Sequence, residues 1–143
     1  MPNLTNKVAI ITGGAASIGR DISRELHRHG ASVVIAARTA EKGEALVKEL
    51  GERAVYVQTD ITDDSQLERL IERTISEFGR LDILVNNACA YDDEGAQTTR
   101  ETWLSTINVS AISAAILGQM ARPHLAKSQG NIVNIGSVSG AFP

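Results

Sequence analysis

Short, continuously apolar runs alternate along the chain with longer stretches in which apolar residues recur every three or four positions. The runs at 7–11, 32–37, 54–58, 81–85 and 131–136 predict strands. They are too continuously apolar for strands with one wet face, so they fit a parallel sheet covered on both sides. Helices fill the intervals. The clearest, at 64–78, sets Leu67, Leu70, Ile71, Thr74, Ile75 and Phe78 on one stripe, with Glu68, Arg69, Glu72, Arg73 and Glu77 outside it. Asp63 and Gln66 form a capping pair at its start, and Gly79 stops it. Ile18, Ile22 and Leu26 mark the first helix, which Gly30 ends. Strand, helix and strand within about thirty residues make one right-handed crossover unit. Repeated, that unit predicts an α/β fold, a doubly wound parallel sheet of Rossmann type, with its ligand site at the carboxyl ends of the strands.

The helix at 100–126 has a different pattern. Trp103, Leu104, Ile107, Val109, Ile112, Ala115, Ile116, Leu117 and Met120 spread over more than one face, so it needs cover on two sides. Either the sheet covers one side and a partner subunit the other, which makes the protein a homo-oligomer through this helix, or the helix is buried within one subunit.

Composition narrows the class. The 143 residues, 43% hydrophobic, suit one domain over 1–143 with a packed core. A formal net charge of -3 with no basic run argues against a nucleic-acid surface. The residues before the first strand lack the charged-then-apolar profile of a secretory signal, which points to the cytoplasm. The longest uninterrupted apolar runs are far short of the roughly 20 residues that cross a bilayer, so no membrane association is expected. Cys89 stands alone, and His27, His29 and His124 lack metal-ligand spacing, so neither a disulfide framework nor a metal site is expected. The histidines read as solvated helix-face residues.

The candidate chemistry begins after the first strand. Thr12, Gly13, Gly14, Ala15, Ala16, Ser17, Ile18 and Gly19 run straight into a helix, small residues almost throughout. Such a turn lets backbone approach a ligand closely and leaves N–H groups and the positive end of the helix facing a pyrophosphate. The segment is similar to the Thr-Gly-x-x-x-Gly-x-Gly signature of the short-chain dehydrogenases/reductases, with Ser17 where the family has its middle glycine. Further matches follow in order: Asp60 and Ile61 after the third strand, Asn86-Asn87-Ala88 after the fourth, Asn108 in the long helix, and Asn134-Ile135-Gly136-Ser137 at the end of the fifth.

The resemblance implies a nicotinamide-coenzyme oxidoreductase interconverting a carbonyl and a secondary alcohol on a small substrate. It implies that Thr12, Gly13, Ala15, Ala16, Ser17, Ile18, Gly19, Asp60, Ile61, Asn87 and Ala88 bind the coenzyme. Asp60 would accept a hydrogen bond from the adenine amino group, the competing role being a loop aspartate before the next helix. Cys89 replaces a family glycine and reads as a small apolar residue rather than a nucleophile. Where an acidic residue would bind the adenosine ribose, roughly 20 residues past the glycine turn, stand Ala36 and Ala37, followed by Arg38. No carboxylate repels a 2′-phosphate there, and Arg38 offers it a planar charged fork, so NADP(H) is favoured and NAD(H) possible. The competing role for Arg38 is an exposed arginine near a helix start.

By resemblance, Ser137 is the serine that orients the substrate oxygen, in preference to Ser139, and Asn108 the asparagine that holds a helix bend and a relay water. The family's proton donor is a Tyr followed four residues later by a Lys. Tyr56 is followed there by Asp60 and Tyr91 by Gly95. The 143 residues therefore read as strands 1 to 5 of a larger sheet, expected to be inactive alone. Ile132, Val133 and Ile135 are expected on an uncovered edge. Asp92, Asp93 and Glu94 in the 91–99 loop hint at an acidic rim. The alternative from another class is a non-catalytic dinucleotide-binding or sensing module.

Overall fold

The computed structural model describes residues 3–90, 92 and 94–137. Five parallel strands, β1 (Val8–Thr12), β2 (Ser32–Ala37), β3 (Ala54–Gln58), β4 (Ile83–Asn86) and β5 (Asn131–Asn134), lie in the order β3-β2-β1-β4-β5. The sequence predicts the spans of β2 and β3 to the residue. β1 begins and ends one residue later than expected, β4 begins two later and ends one later, and β5 stops at Asn134 rather than Gly136. Just before β4, Asp82 is buried: its carboxylate accepts from the Val8 N–H at 3.0 Å, from Lys7 at 3.1 Å and from Arg80, while its own N–H donates to Val8 O and its carbonyl accepts from the Asn131 N–H.

β1 supplies both halves of the core because alternate side chains leave opposite faces. Val8 and Ile10 pack with Val34, Leu84 and one helical layer; Ala9 and Ile11 pack with Val33, Val85 and the other. The first layer is α3 (Asp64–Phe78) and α5 (Ser113–Ser128), which contribute Leu67, Leu70, Ile71, Leu117, Ala121 and Leu125. The second is α1 (Ser17–Arg28) and α2 (Ala40–Leu50), whose Ile22, Leu26 and Val47 lean on the sheet. Each fully buried Ile or Leu here contributes about 1.5–3 kcal/mol relative to exposure. α3 follows the predicted stripe: Asp63 accepts from the Ser65 and Gln66 N–H groups, and Gly79 closes the far end with φ 74° and an N–H bond to Ile75 O. These bonds hold the Asp63 carboxyl down at about 2, the Ser65 and Gln66 side chains first among the causes.

Three expectations need correction. Ile18 does not join the apolar stripe of α1; it is 61% exposed, because the helix only begins at Ser17 and its first turn overhangs the strand end. His27 and His29 are half-buried with partners: His27 Nε2 lies 2.7 Å from Glu52 O, and His29 Nε2 lies 2.9 Å from Glu25. The helix at 100–126 is a rod of three pieces, α4 (Arg100–Ile107), a π turn (Asn108–Ile112) and α5. By length and composition the whole rod, Arg100–Ser128, could cross a membrane, yet Leu117, Ala121 and Leu125 belong to the core under the sheet. Trp103, Leu104, Ile107 and Ile112 stay exposed, as do Ile132, Val133 and Ile135, β5 pairing with β4 alone among the described strands.

Candidate functional site

The strand order reverses between β1 and β4: the chain runs outward from β1 to β2 and β3, then returns to place β4 on the other side of β1. At such a switch point the following loops part and leave a crevice beyond the carboxyl ends of the strands. The turn after β1 and the Asn87-Ala88 segment after β4 form its two walls.

The turn is held from both sides. Asn87 Nδ2 donates to Thr12 O at 2.9 Å and to Gly13 O at 3.4 Å, while Thr12 Oγ1 accepts from the N–H groups of Asn87 and Ala88 at 3.0 and 3.1 Å. From below, the buried Ser23 hydroxyl reaches Gly14 O at 3.0 Å and Gly19 O at 2.9 Å. Ser23 is not among the residues singled out from the sequence. Its place between Ile22 and Leu26, one helical turn after Gly19, was the available signal.

The turn depends on its glycines, a Cβ on Gly14 lying 2.8 Å from Ile11 O. Gly13 sits at φ 63°, and a Cβ on Gly19 would lie 2.2 Å from Gly13 O and 2.5 Å from Asn87 Nδ2. Ser17, in the place of the family glycine, takes up the same left-handed backbone with φ 47°, so the turn keeps its course despite the substitution. No side chain caps α1, no acidic residue occupies its first turn, and the N–H groups of Ser17, Ile18 and Gly19 bond to no other described residue. The helix therefore presents free donors at its positive end.

The remaining candidates surround this centre. Ile61 lines a small cleft with Thr12, Asn86, Ala88 and Val109, which brings it beside the turn. Asp60 Oδ1 accepts from the Thr62 N–H at 3.0 Å and the Thr62 hydroxyl at 2.7 Å; these bonds, and more weakly the positive charge of Arg38, hold the carboxyl below the usual aspartate range. Arg38 is exposed just past β2, and its guanidinium makes no hydrogen bond or ion pair with another described residue. Ala15 is buried beneath the turn with Ile35 and Leu46, whereas Ala16 is exposed. Cys89 is exposed rather than packed.

Asn108 opens the π turn, and its carbonyl accepts both the Ser113 N–H and, at 2.8 Å, the buried Ser113 hydroxyl. Beyond β5, which is tied to β4 by Asn86 Nδ2 to Asn134 Oδ1 at 2.9 Å, Ser137 is exposed. An open groove of about 780 Å³ runs between α5 and β5, lined by Ala114, Gly118, Arg122, Ile132 and Ile135 among others. Tyr91, Asp93 and Ser139 lie outside the described residues.

Comparison with known proteins agrees with this geometry. The family model described as short chain dehydrogenase matches residues 7–143. The short-chain dehydrogenase/reductase FrzI of Cladobotryum is 41% identical, the match covering 96% of this chain and 55% of that protein. The mouse L-fucose dehydrogenase is 36% identical over 96% of this chain and 51% of its own length. A putative ketoacyl reductase of granaticin polyketide synthase from Streptomyces violaceoruber is 34% identical over 95% and 57% respectively. The chain thus spans about half the length of the curated relatives it matches. With the motifs in order along a sheet whose switch point carries the glycine turn, the chain belongs to the short-chain dehydrogenase/reductase family.

Proposed function

We propose that this chain is the coenzyme-binding part of an oxidoreductase that interconverts a carbonyl and a secondary alcohol, with NADP(H) favoured over NAD(H). The observation that carries the reading is the turn at 12–19, where carbonyl oxygens are occupied by Asn87 and Ser23 while the N–H groups at the start of α1 remain free. Such a surface attracts an anion. The residues fit the coenzyme: Gly13 and Gly19 let the turn, the start of α1 and the Asn87-Ala88 wall close on one another without a Cβ between them, Ile61 lies beside the turn, and Asp60 retains Oδ2 as an acceptor toward an adenine amino group.

Arg38, whose guanidinium makes no hydrogen bond or ion pair with another described residue, is offered to a ribose 2′-phosphate. When bound, the nicotinamide coenzyme supplies or accepts the hydride. Asn108 and Ser137 are this chain's share of the catalytic groups: Ser137 orients the substrate oxygen, and Asn108 shapes the helix beside it. The names of the relatives, a fucose dehydrogenase and a ketoacyl reductase, support an oxidoreductase without fixing a substrate. The exposed Trp103, Leu104, Ile107 and Ile112 support a homo-oligomer joined through the rod.

The test is a titration of the protein with NADPH and NADH, followed by the fluorescence of the reduced coenzyme, alongside turnover with a panel of ketones. Tighter binding of NADPH, lost in Arg38→Ala, is expected. Absence of binding to either coenzyme by folded protein refutes the proposal, and tight binding without turnover by the whole protein favours a non-catalytic module.

A further inference from the structure

Arg38 leaves the sheet on a short exposed turn, and a guanidinium on a loose turn would be a poor reader of a fixed phosphate. The ladder between β2 and β3 ends at the pair Ala37 and Gln58, so residues 38 and 39 have no strand partner. Their backbone is nevertheless fastened. The Tyr56 hydroxyl donates to Ala37 O at 2.9 Å, the Thr59 N–H donates to the same oxygen at 3.0 Å, and Gln58 Nε2 donates to Arg38 O at 3.1 Å. We infer that Tyr56 and Gln58 of β3 are positioning residues for coenzyme selectivity, gripping the carbonyls of Ala37 and Arg38, which flank the Arg38 Cα, so that Arg38 is presented in one orientation.

The inference rests on the reading of Arg38 as the group that meets the 2′-phosphate. The Tyr56 ring is itself held. A Cβ on Gly43 would lie 2.1 Å from Cδ2 and 2.3 Å from Cε2, so only a glycine lets α2 press its backbone on the ring face. Burial pushes the phenol above its ordinary value, with Glu44 adding to the effect, and keeps it a donor at neutral pH. The grip leaves the guanidinium itself free, which separates orientation from recognition: two side chains of one strand fix the backbone, and the charge projects from it. Fixing a turn before binding removes part of the ordering cost that binding would otherwise carry. That saving is realised only by the ligand that contacts Arg38.

The test compares the wild-type chain, Tyr56→Phe, Gln58→Ala, the double variant and Arg38→Ala in the full protein, titrated with NADPH and NADH. Tyr56→Phe keeps the ring on Gly43, and Gln58 is exposed, so Gln58→Ala serves should the tyrosine variant fail to fold. The double variant is expected to weaken NADPH by about three- to tenfold while NADH stays within about twofold, in line with one immobilised side chain. Equal loss for both coenzymes would mean a merely structural role and overturns the inference. An unchanged NADPH to NADH ratio in the double variant, when Arg38→Ala collapses that ratio, overturns the brace alone. A wild-type chain without NADPH preference removes the Arg38 reading and the brace together.

Discussion

Replacing Gly19 by alanine sets two effects of known size against each other. Alanine in a helix is favoured over glycine by about 0.8–1.0 kcal/mol, so propensity alone predicts a more stable protein. The new Cβ, however, would stand 2.2 Å from Gly13 O and 2.8 Å from Gly13 C, where 3.4 Å or more is ordinary contact. Both atoms are backbone, held at φ 63° and tied to Asn87, and cannot swing aside as a side chain end would. The turn must move by about 1 Å, and overpacking of this kind costs about 1–3 kcal/mol. Sterics cancel or outweigh propensity: Gly19→Ala should lower stability by about 0–2 kcal/mol in urea unfolding, where propensity alone would raise it. It should also weaken reduced-coenzyme binding at least about tenfold, since a charge-assisted hydrogen bond to a displaced N–H is worth about 1.5–3 kcal/mol. Gly118→Ala is the matched control. Its Cβ would meet only Ile132 Cδ1, at 3.5 Å, so there propensity prevails and stability should rise by about 0.5–1 kcal/mol. If both alanines stabilise alike, or if Gly19→Ala binds coenzyme as tightly as the parent, the account of the turn is wrong.

Ser17→Gly should be gently stabilising, by about 0.5 kcal/mol, because relieving a left-handed residue gains about 1–2 kcal/mol and the freer unfolded chain returns about 0.5–1; thermal unfolding reads it, and a clear loss would show that the serine hydroxyl matters more than the backbone. Asp82→Asn should cost about 2 kcal/mol, since the buried carboxylate holds the Val8 N–H, Lys7 and Arg80. Burial alone would raise that carboxyl, but the Arg80, Val8 and Lys7 bonds together bring it below the usual aspartate value. Its stabilisation is therefore present above about pH 4 and drains as pH falls through the lowered value. Urea midpoints between about pH 2 and 6 should fall less steeply in the Asn variant, and parallel curves would count against the assignment. Ser113→Ala removes the hydroxyl bonded to Asn108 O and should cost about 0.5–1.5 kcal/mol by chemical denaturation, whereas no change would mean that the π turn holds itself.

Much of this was legible in the sequence because burial writes itself into composition. β1, β2 and β4 are covered on both faces, so their residues are apolar without alternation, and α3 declares itself by one stripe with a cap at each end. The glycine turn was legible for a similar reason: close backbone approach excludes large side chains. The missing parts are tertiary. Nothing local separates Ser23 or Ser113 from a solvated serine, since what makes each matter is a carbonyl turned toward it by another part of the fold. Tyr56 and Gln58 read as ordinary strand residues, their donors meeting the chain nearly twenty positions away. Ile18 misled because helical spacing was extended through the first turn, which projects beyond the sheet.

These serines and amides share a polarity that explains why the crevice is suited to an anion. Every side chain that grips the turn after β1 from outside does so as a donor to a carbonyl: Asn87 to Thr12 O and Gly13 O, Ser23 to Gly14 O and Gly19 O. The one acceptor, Thr12 Oγ1, serves the opposite wall rather than the turn's own N–H groups. Carbonyl lone pairs are thus satisfied by protein, and donors remain at the start of a helix with its positive end outward. Had the clamps been carboxylates, the same rigidity would have come with a field that repels phosphate. Neutral donors stiffen the turn and leave its electrostatics intact, and that combination is why substitutions at Asn87 or Ser23 should weaken coenzyme binding more than their distance from the ligand's charge would suggest.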